Sequence, residues 1–312
     1  MLSHRRSVLL AGLLALSTFW VTPDASAQTK LTVAYSPSVD FVSVYVAKEK
    51  GYFAKRGLDV SLTPMLSSLI PTAIESGSAQ IGMPSTPVAL AAIDAGLDQV
   101  IVGGAAVTDT SMKDVGIVVR AGSAIKTPAD LQGKKIGVPG VGALLHVLTR
   151  QWMILKGVDP GKVNFVEVAL PQMNDVLRSG AIDAGVSVDP ITSRITGSGT
   201  GVMLFPVFAE LPNGISTVVF AASRSWASKN ATSLAAFRDS IAEAIDYVAT
   251  NPAEGQAMVG AFLKVSPEVL AVTRRPSMRL VLSNGQVSDW IDIMKRQDMI
   301  KAKLSASDYL PR

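Results

Sequence analysis

Apolar and polar positions follow two alternating periods along most of the chain. Short apolar runs at 31–35, 60–62, 81–83 and 100–102 are bounded by glycine, proline or polar residues, as buried parallel strands are. Stretches with helical spacing separate these runs. This regular alternation of strands and helices predicts an α/β fold built on mostly parallel sheets.

Beyond residue 222 the pattern becomes helical. Apolar residues fall on one face of a long predicted helix, namely Leu234, Phe237, Ile241, Ile245 and Val248. We expect the C-terminal helices to return to the first half of the protein and cover it.

A weak internal repeat relates the two halves. Residues 76–83 are similar to 179–186, and 56–59 are similar to 156–159. The paired segments are separated by 100 to 103 residues. Recurring glycine turns could produce such a likeness in any α/β protein, but a constant spacing favours two similar lobes in tandem.

Two extended segments, 115–120 and 216–221, bracket the second unit. We expect them to be the strands along which the chain enters and leaves it. The predicted division is therefore a first lobe of 28–114 and 222–312, and a second lobe of 115–221 that includes both hinge strands.

The first 27 residues have the pattern of a cleavable export signal. A basic start with Arg5 and Arg6 precedes an apolar run at 8–21, and Ala25 and Ala27 give the small-x-small cleavage pattern. A retained anchor and twin-arginine export are the alternatives. The expected location of the mature protein is the periplasm.

Composition limits the chemistry that the chain can perform. It is 48% hydrophobic and 17% charged, which favours a folded protein, and its net charge of +4 comes without basic clusters, which argues against a nucleic acid partner. It has no cysteine, so it offers neither a thiol nucleophile nor a soft metal site. His146 is the one histidine after residue 27, and we expect it to pack inside the protein or to occupy a solvated position on a helix.

Four segments, 47–60, 75–82, 127–138 and 184–190, resemble the substrate-binding proteins of ABC transporters in the nitrate, taurine and aliphatic-sulfonate family. The resemblance implies a type II periplasmic-binding-protein fold, with two α/β lobes joined by a two-strand hinge. It also implies a solute in the interlobe cleft and a permease in the inner membrane as partner. The turn at 140–143 lacks the hydroxyl found in sulfonate receptors, and Val188 stands where many relatives have an aromatic residue.

Candidate ligand-binding residues lie in the loops that follow predicted strands, where open α/β sheets bind their ligands. In the first lobe they are Ser36, Ser38, Asp40, Phe41, Ser67, Ser68, Ser85 and Thr86; in the second they are Gly140, Val141, Gly142, Ala143 and Asp189.

Each type of candidate has a binding role and an ordinary structural alternative. The hydroxyls could donate to a solute or cap helices, and Phe41 could stack on a solute or pack in the core. The turn at 140–143 offers free N–H groups at a helix start, which attract negative charge. Asp189 could accept from a ligand, cap the segment after it or pair with a cation of the first lobe. Lys113 and Asp114, near the predicted hinge, are expected to form a solvated face.

These features predict a monomeric solute receptor rather than an enzyme. The sequence contains no nucleophile elbow, no phosphate-binding loop and no dinucleotide fingerprint, and we predict no catalytic residue, metal or cofactor. The expected solute is a small organic molecule that is anionic or has an anionic group. The alternatives are a pyrimidine-precursor or flavin-type ligand, or a secreted enzyme on the same fold.

Overall fold

The computed structural model describes residues 28–275, 277–301 and 304–310, so the predicted export signal lies outside the described residues. The strands are β1 Thr29–Tyr35, β2 Leu58–Pro64, β3 Ile81–Met83, β4 Gln99–Val107, β5 Gly116–Arg120, β6 Lys135–Val138, β7 Asn164–Glu167, β8 Ala184–Ser187, β9 Gly201–Phe205 and β10 Ser216–Ser223. The helices are α1 Val42–Glu49, α2 Tyr52–Lys55, α3 Ile70–Glu75, α4 Thr86–Asp94, α5 Leu144–Leu155, α6 Met173–Ser179, α7 Ile191–Gly197, α8 Arg224–Lys229, α9 Ala231–Thr250, α10 Pro252–Leu263, α11 Pro267–Val272, α12 Asn284–Lys295 and α13 Ala306–Tyr309.

The strands form two sheets of five with the same plan. Their orders are β2-β1-β3-β10-β4 and β7-β6-β8-β5-β9. In each sheet the first three strands are parallel, and the fourth is antiparallel to both of its neighbours. This matching order confirms the two α/β lobes that the sequence repeat predicted.

The antiparallel strand of each sheet is the one that has just crossed from the other lobe. The chain leaves the first sheet after β4 and enters the second as β5; it leaves the second after β9 and returns as β10. Residues 108–115 and 206–215 therefore form the two crossings.

The predicted lobe boundary is wrong at β10. Residues 216–221 were expected in the second lobe, but β10 pairs with β3 and β4 of the first sheet, with Ser216 opposite Val107. An apolar strand pattern shows that a segment is buried in a sheet, but it does not show which sheet provides the hydrogen bonds. The rest of the division stays a prediction.

The C-terminal helices return to the first sheet, as expected. Phe237 of α9 is fully buried, and its ring lies 5.4 Å from that of Phe53 and 5.2 Å from that of Phe220 in β10. Trp290 of α12 is buried in a second cluster that includes Leu90 of α4 and residues of the second lobe. Along 28–275, 277–301 and 304–310, no helix is both long and apolar enough to cross a membrane.

Candidate functional site

The predicted residues of the first lobe lie at the carboxyl ends of three adjacent strands. Because β1 lies between β2 and β3, the loops that follow these strands share one edge of the sheet. The hydroxyl of Ser67, after β2, accepts a hydrogen bond from the backbone N–H of Ser85, after β3, at 3.0 Å. Ser36 and Ser38 come directly after β1. Ser68, the neighbour of Ser67 in the chain, is exposed.

Helix capping does not explain the serines at positions 38 and 85. Both residues precede helical turns, yet neither side chain makes a capping hydrogen bond. Ser85 is only 6% exposed, and within the described structure its hydroxyl has no hydrogen-bond partner. The adjacent Thr86 hydroxyl instead lies 3.2 Å from that of Ser216 in β10. Ser85 therefore remains a strong candidate for contact with a solute.

Phe41 and Asp40 make contacts inside the first lobe. Phe41 is 2% exposed and stacks on Tyr35 with ring centroids 4.0 Å apart, which corresponds to the core alternative. Asp40 Oδ1 accepts from Nη2 of Arg274 at 2.7 Å. Asp40 therefore holds the guanidinium of Arg274 near the edge of the first sheet where the candidate serines lie.

The turn at 140–143 differs from the expectation of free N–H groups. Val141 donates its backbone N–H to Oε1 of Glu167 at 2.9 Å, and Gly142 donates to Nδ1 of His146 at 2.9 Å. The carboxylate of Glu167 and the imidazole of His146 therefore accept from two N–H groups that were expected to be free for a solute anion. The sequence could not show this, because Glu167 is brought beside the turn by the pairing of β6 with β7.

His146 is held neutral by its surroundings. The ring is 3% exposed and packs edge-on against Phe165 at 4.6 Å. Burial, together with the charge of Arg150, lowers its pKa from 6.5 to about 4. Since Nδ1 accepts from Gly142, the proton of the neutral ring is on Nε2.

Asp189 acts as a local cap. Its Oδ1 accepts from the backbone N–H of Ser193 at 2.9 Å and from the Ser193 hydroxyl at 2.8 Å. These bonds fix the first turn of α7. The contacts of Asp189 are therefore those of a helix cap, which was an alternative to a ligand contact.

The expectation of a solvated face at 113–114 is wrong for Asp114. Lys113 is exposed, but both carboxylate oxygens of Asp114 are buried, and no side chain of the described structure donates to them. Burial raises the pKa of Asp114 above its usual value, although the charge of Arg274 and nearby backbone N–H groups act in the opposite direction. This carboxyl precedes β5, whose first residue, Gly116, pairs with Ser187 at the carboxyl end of β8.

Sequence reasoning also missed Arg274. Its side chain is 11% exposed; Nη2 binds Asp40, while Nε and Nη1 are buried without a partner among the described residues. Burial lowers the pKa of this guanidinium, but the charge and hydrogen bond of Asp40, with Asp114 and Asp109, outweigh that effect and raise it. Arg274 lies 234 residues after Asp40 in the chain, so no local motif could indicate the pairing.

Buried polar side-chain atoms without a hydrogen-bond partner among the described residues lie near the carboxyl edges of both sheets. We call this set the interlobe polar cluster: Ser85, Asp114, Ser187, Thr217 and Arg274. A buried polar group without a hydrogen bond costs about 1–3 kcal/mol. These five are among eleven described residues with such atoms, and they lie next to the crossings, where a polar guest would satisfy them.

A cavity of about 940 Å³ lies against the two crossings and the end of β4. Its lining includes Thr108, Asp109 and Asn213 from the crossings and Gln286 and Asp289 from α12. None of the predicted ligand-binding residues lines it.

Two sheets of this plan, joined by two crossings, define the periplasmic-binding-protein fold. The family described as "NMT1/THI5 like" matches residues 38–255, and the chain belongs to that family. No curated protein matches the chain.

Solved structures with the same fold include receptors and an enzyme. The alkanesulfonate-binding protein SsuA from Xanthomonas axonopodis pv. citri, bound to MOPS, is 21% identical with a TM-score of 0.75, over 92% of this chain and 100% of that one. The periplasmic nitrate-binding protein NrtA from Synechocystis PCC 6803 is 17% identical with a TM-score of 0.71, over 88% and 83%. The desulfurization enzyme DSZB is 15% identical with a TM-score of 0.65, over 91% and 97%.

Proposed function

We propose that the chain is the solute-binding protein of an ABC importer, and that it binds a small organic solute between its lobes in the periplasm. An inner-membrane permease would receive the solute. The observation that supports this most strongly is the interlobe polar cluster. Both sheets contribute to it, so a solute that satisfies its members favours the closed form over the open form.

The two crossings support the same function. Segments 108–115 and 206–215 are the connections through which the lobes share their antiparallel strands. A rotation about two neighbouring connections needs changes in few backbone angles, while the cores of both lobes stay intact. Export after cleavage at Ala27, a monomeric state and an anionic group on the solute are parts of the same proposal.

A ligand screen tests this function directly. Protein isolated from the periplasmic fraction would be melted with sulfonates, nitrate, aromatic carboxylates, pyrimidine precursors and flavins. A solute at 100 times its Kd stabilises the folded state by about 2.7 kcal/mol, which corresponds to a Tm increase of about 5–10 °C for a protein of this size. We expect one class to raise the Tm, and calorimetry to show one site per chain.

A matched pair of variants locates the site. Ser85→Ala removes a hydroxyl of the interlobe polar cluster, whereas Ser228→Ala removes an exposed hydroxyl in α8. We expect weaker binding only for Ser85→Ala. Equal affinities in both variants, or no Tm increase with any class, would count against the proposal.

Turnover distinguishes the receptor from the enzyme alternative that DSZB represents. The stabilising compound would be incubated with the protein overnight and recovered for mass spectrometry. An unchanged compound supports a receptor, and formation of a product contradicts it. The intact mass of the same sample checks whether the chain begins at Gln28.

A further inference from the structure

We propose, on the basis of the receptor function above, that the side-chain amide of Gln297 is an interlobe latch that stabilises the solute-free arrangement of the two lobes. Gln297 belongs to the C-terminal segment, which packs on the first lobe, and its amide holds helix α5 of the second lobe. Closure around a solute breaks this contact. The latch therefore sets part of the free energy that solute binding must supply.

The amide of Gln297 makes two hydrogen bonds to α5. Its Nε2 donates to the backbone carbonyl of Val147 at 3.1 Å, and its Oε1 accepts from Nε of Arg150 at 3.1 Å. Gln297 is only 6% exposed, and the bond to Val147 is buried. Both the nitrogen and the oxygen of the amide therefore bind the second lobe.

The segment that contains Gln297 is tied to the first lobe on both sides of this residue. Before it, the indole of Trp290 in α12 donates to the backbone carbonyl of Ser216 in β10. After it, the backbone N–H of Lys301 donates to Oδ2 of Asp94, at the end of α4, at 3.1 Å. A rotation of the second lobe relative to the first therefore moves α5 relative to Gln297 rather than together with it.

Helix α5 connects the latch to the turn at 140–143. His146, in the first turn of α5, accepts from the backbone N–H of Gly142, and Arg150 lies about one helical turn further along. A packed helix of twelve residues moves as one element. The latch therefore also holds in place a turn that we predict to lie at the solute.

The candidate ligand-binding residues do not join one lobe to the other. Three candidates of the first lobe bond to first-lobe groups, and three of the second lobe bond to second-lobe groups: respectively Asp40, Ser67 and Thr86, and Val141, Gly142 and Asp189. Within the described structure, no hydrogen bond or ion pair links a candidate of one lobe to a candidate of the other. This arrangement corresponds to the solute-free form of a receptor, in which the cleft side is not yet bridged.

The packing beside the latch permits movement. Helix α4 of the first lobe lies beside α5, and Leu90 and Leu148 of these helices belong to one buried cluster. Apolar contacts have no preferred direction, whereas a hydrogen bond weakens steeply when its angle changes. Cavities of about 940 and 500 Å³ adjoin this region, and residues of α5 line both. The latch is therefore a directional contact in a place where α5 has space to shift.

The size of the effect follows from the two hydrogen bonds. Two bonds of ordinary strength correspond to about a tenfold change in an equilibrium constant. Loss of the latch should make other arrangements of the solute-free lobes more populated. It should also increase the affinity for a solute by about tenfold, because closure no longer breaks these bonds.

Distance measurements test the latch without any solute. The sequence has no cysteine, so spin labels can be attached at Ser61→Cys in β2 and Asn164→Cys in β7, two exposed positions on different lobes. The distribution of label-to-label distances would be compared with and without Gln297→Ala. We expect the substitution to broaden or shift the distribution. An unchanged distribution would overturn the proposal.

Gln256→Ala is the matched control. The amide of Gln256 also makes two hydrogen bonds, to the carbonyls of Leu270 at 3.2 Å and Thr273 at 2.9 Å, but these partners lie only 14 and 17 residues away in the chain. We expect Gln256→Ala to leave the interlobe distances as they are in the wild type. A change as large as that in Gln297→Ala would mean that general loosening, and not the latch, controls the arrangement.

Titration calorimetry connects the latch to solute binding. The probes would be ethanesulfonate, nitrate, benzoate, cytosine and riboflavin, one for each class in the melting screen. For each probe that binds the wild type, we expect Gln297→Ala to bind about tenfold more tightly and Gln256→Ala to bind equally well. Equal or weaker binding by Gln297→Ala would contradict the latch. If no probe binds the wild type, the receptor function fails, and the distance measurement still decides whether Gln297 holds the lobes.

Discussion

The carboxylate of Glu167 accepts a hydrogen bond from the backbone N–H of Val141 at 2.9 Å. This N–H is one of the groups through which the turn at 140–143 was expected to attract an anion, and it is already bonded to Glu167. Since Glu167 ends β7 and Val141 follows β6, the bond also ties two neighbouring strand ends together. Within the interlobe polar cluster, the N–H groups of Arg274 at Nε and Nη1 have no hydrogen-bond partner among the described residues.

Removal of the Glu167 carboxylate should loosen this turn. We expect Glu167→Ala to lower the free energy of unfolding by about 1 kcal/mol, as for a typical exposed hydrogen bond. Denaturant titration measures the change. Glu75→Ala, which alters an exposed carboxylate at the end of α3, is the control. Equal values for both variants would show that the bond to Val141 contributes nothing.

Gly82 permits the close approach of α3 to the first sheet. A Cβ at this position of β3 would collide with Ile70 and lie 2.7 Å from Cδ1 of Ile74. We expect Gly82→Ala to cost about 1–3 kcal/mol of unfolding free energy, because the helix must shift. Gly197→Ala in α7 meets no atom within 4 Å and should be neutral or stabilising. Equal melting temperatures for Gly82→Ala and the wild type would contradict this packing.

His146 should make stability depend on pH. The folded state keeps the imidazole neutral down to about pH 4, whereas in the unfolded chain it takes up a proton near pH 6.5. Because the unfolded state then binds more protons, the free energy of unfolding should fall as the pH decreases from 6.5 to 4, by about 3 kcal/mol. Denaturant titrations at several pH values measure the slope. His146→Gln should remove most of it, and an unchanged slope would mean that other groups cause the dependence.

Trp290 should anchor α12 to the returning strand β10. Its indole Nε1 donates to the backbone carbonyl of Ser216, and the ring is fully buried. We expect Trp290→Phe to lower the free energy of unfolding by about 1–3 kcal/mol, because a buried carbonyl loses its donor. Trp226→Phe, at a half-buried ring in α8, should cost less. The reverse order in thermal melts would contradict the anchoring role.

The sequence predicted the strands and the repeat correctly because both depend on local chemistry. Short apolar runs form strands, and similar segments separated by 100 to 103 residues form similar lobes. It failed at β10, because an apolar strand can pair in either sheet. The hydroxyls after β1, β2 and β3 were also predictable, since the ends of adjacent parallel strands meet at one edge.

The sequence by itself determined two α/β lobes and the positions of the loops that follow their strands, because strand period and loop position are set by neighbouring residues. Only the tertiary structure decided which charges lie near those loops. Asp40 binds Arg274, which lies 234 residues later in the chain, and the carboxylate oxygens of Asp114 are buried although its neighbour Lys113 is exposed. Burial and long-range pairing arise when the chain crosses twice between the sheets, and such contacts have no local pattern.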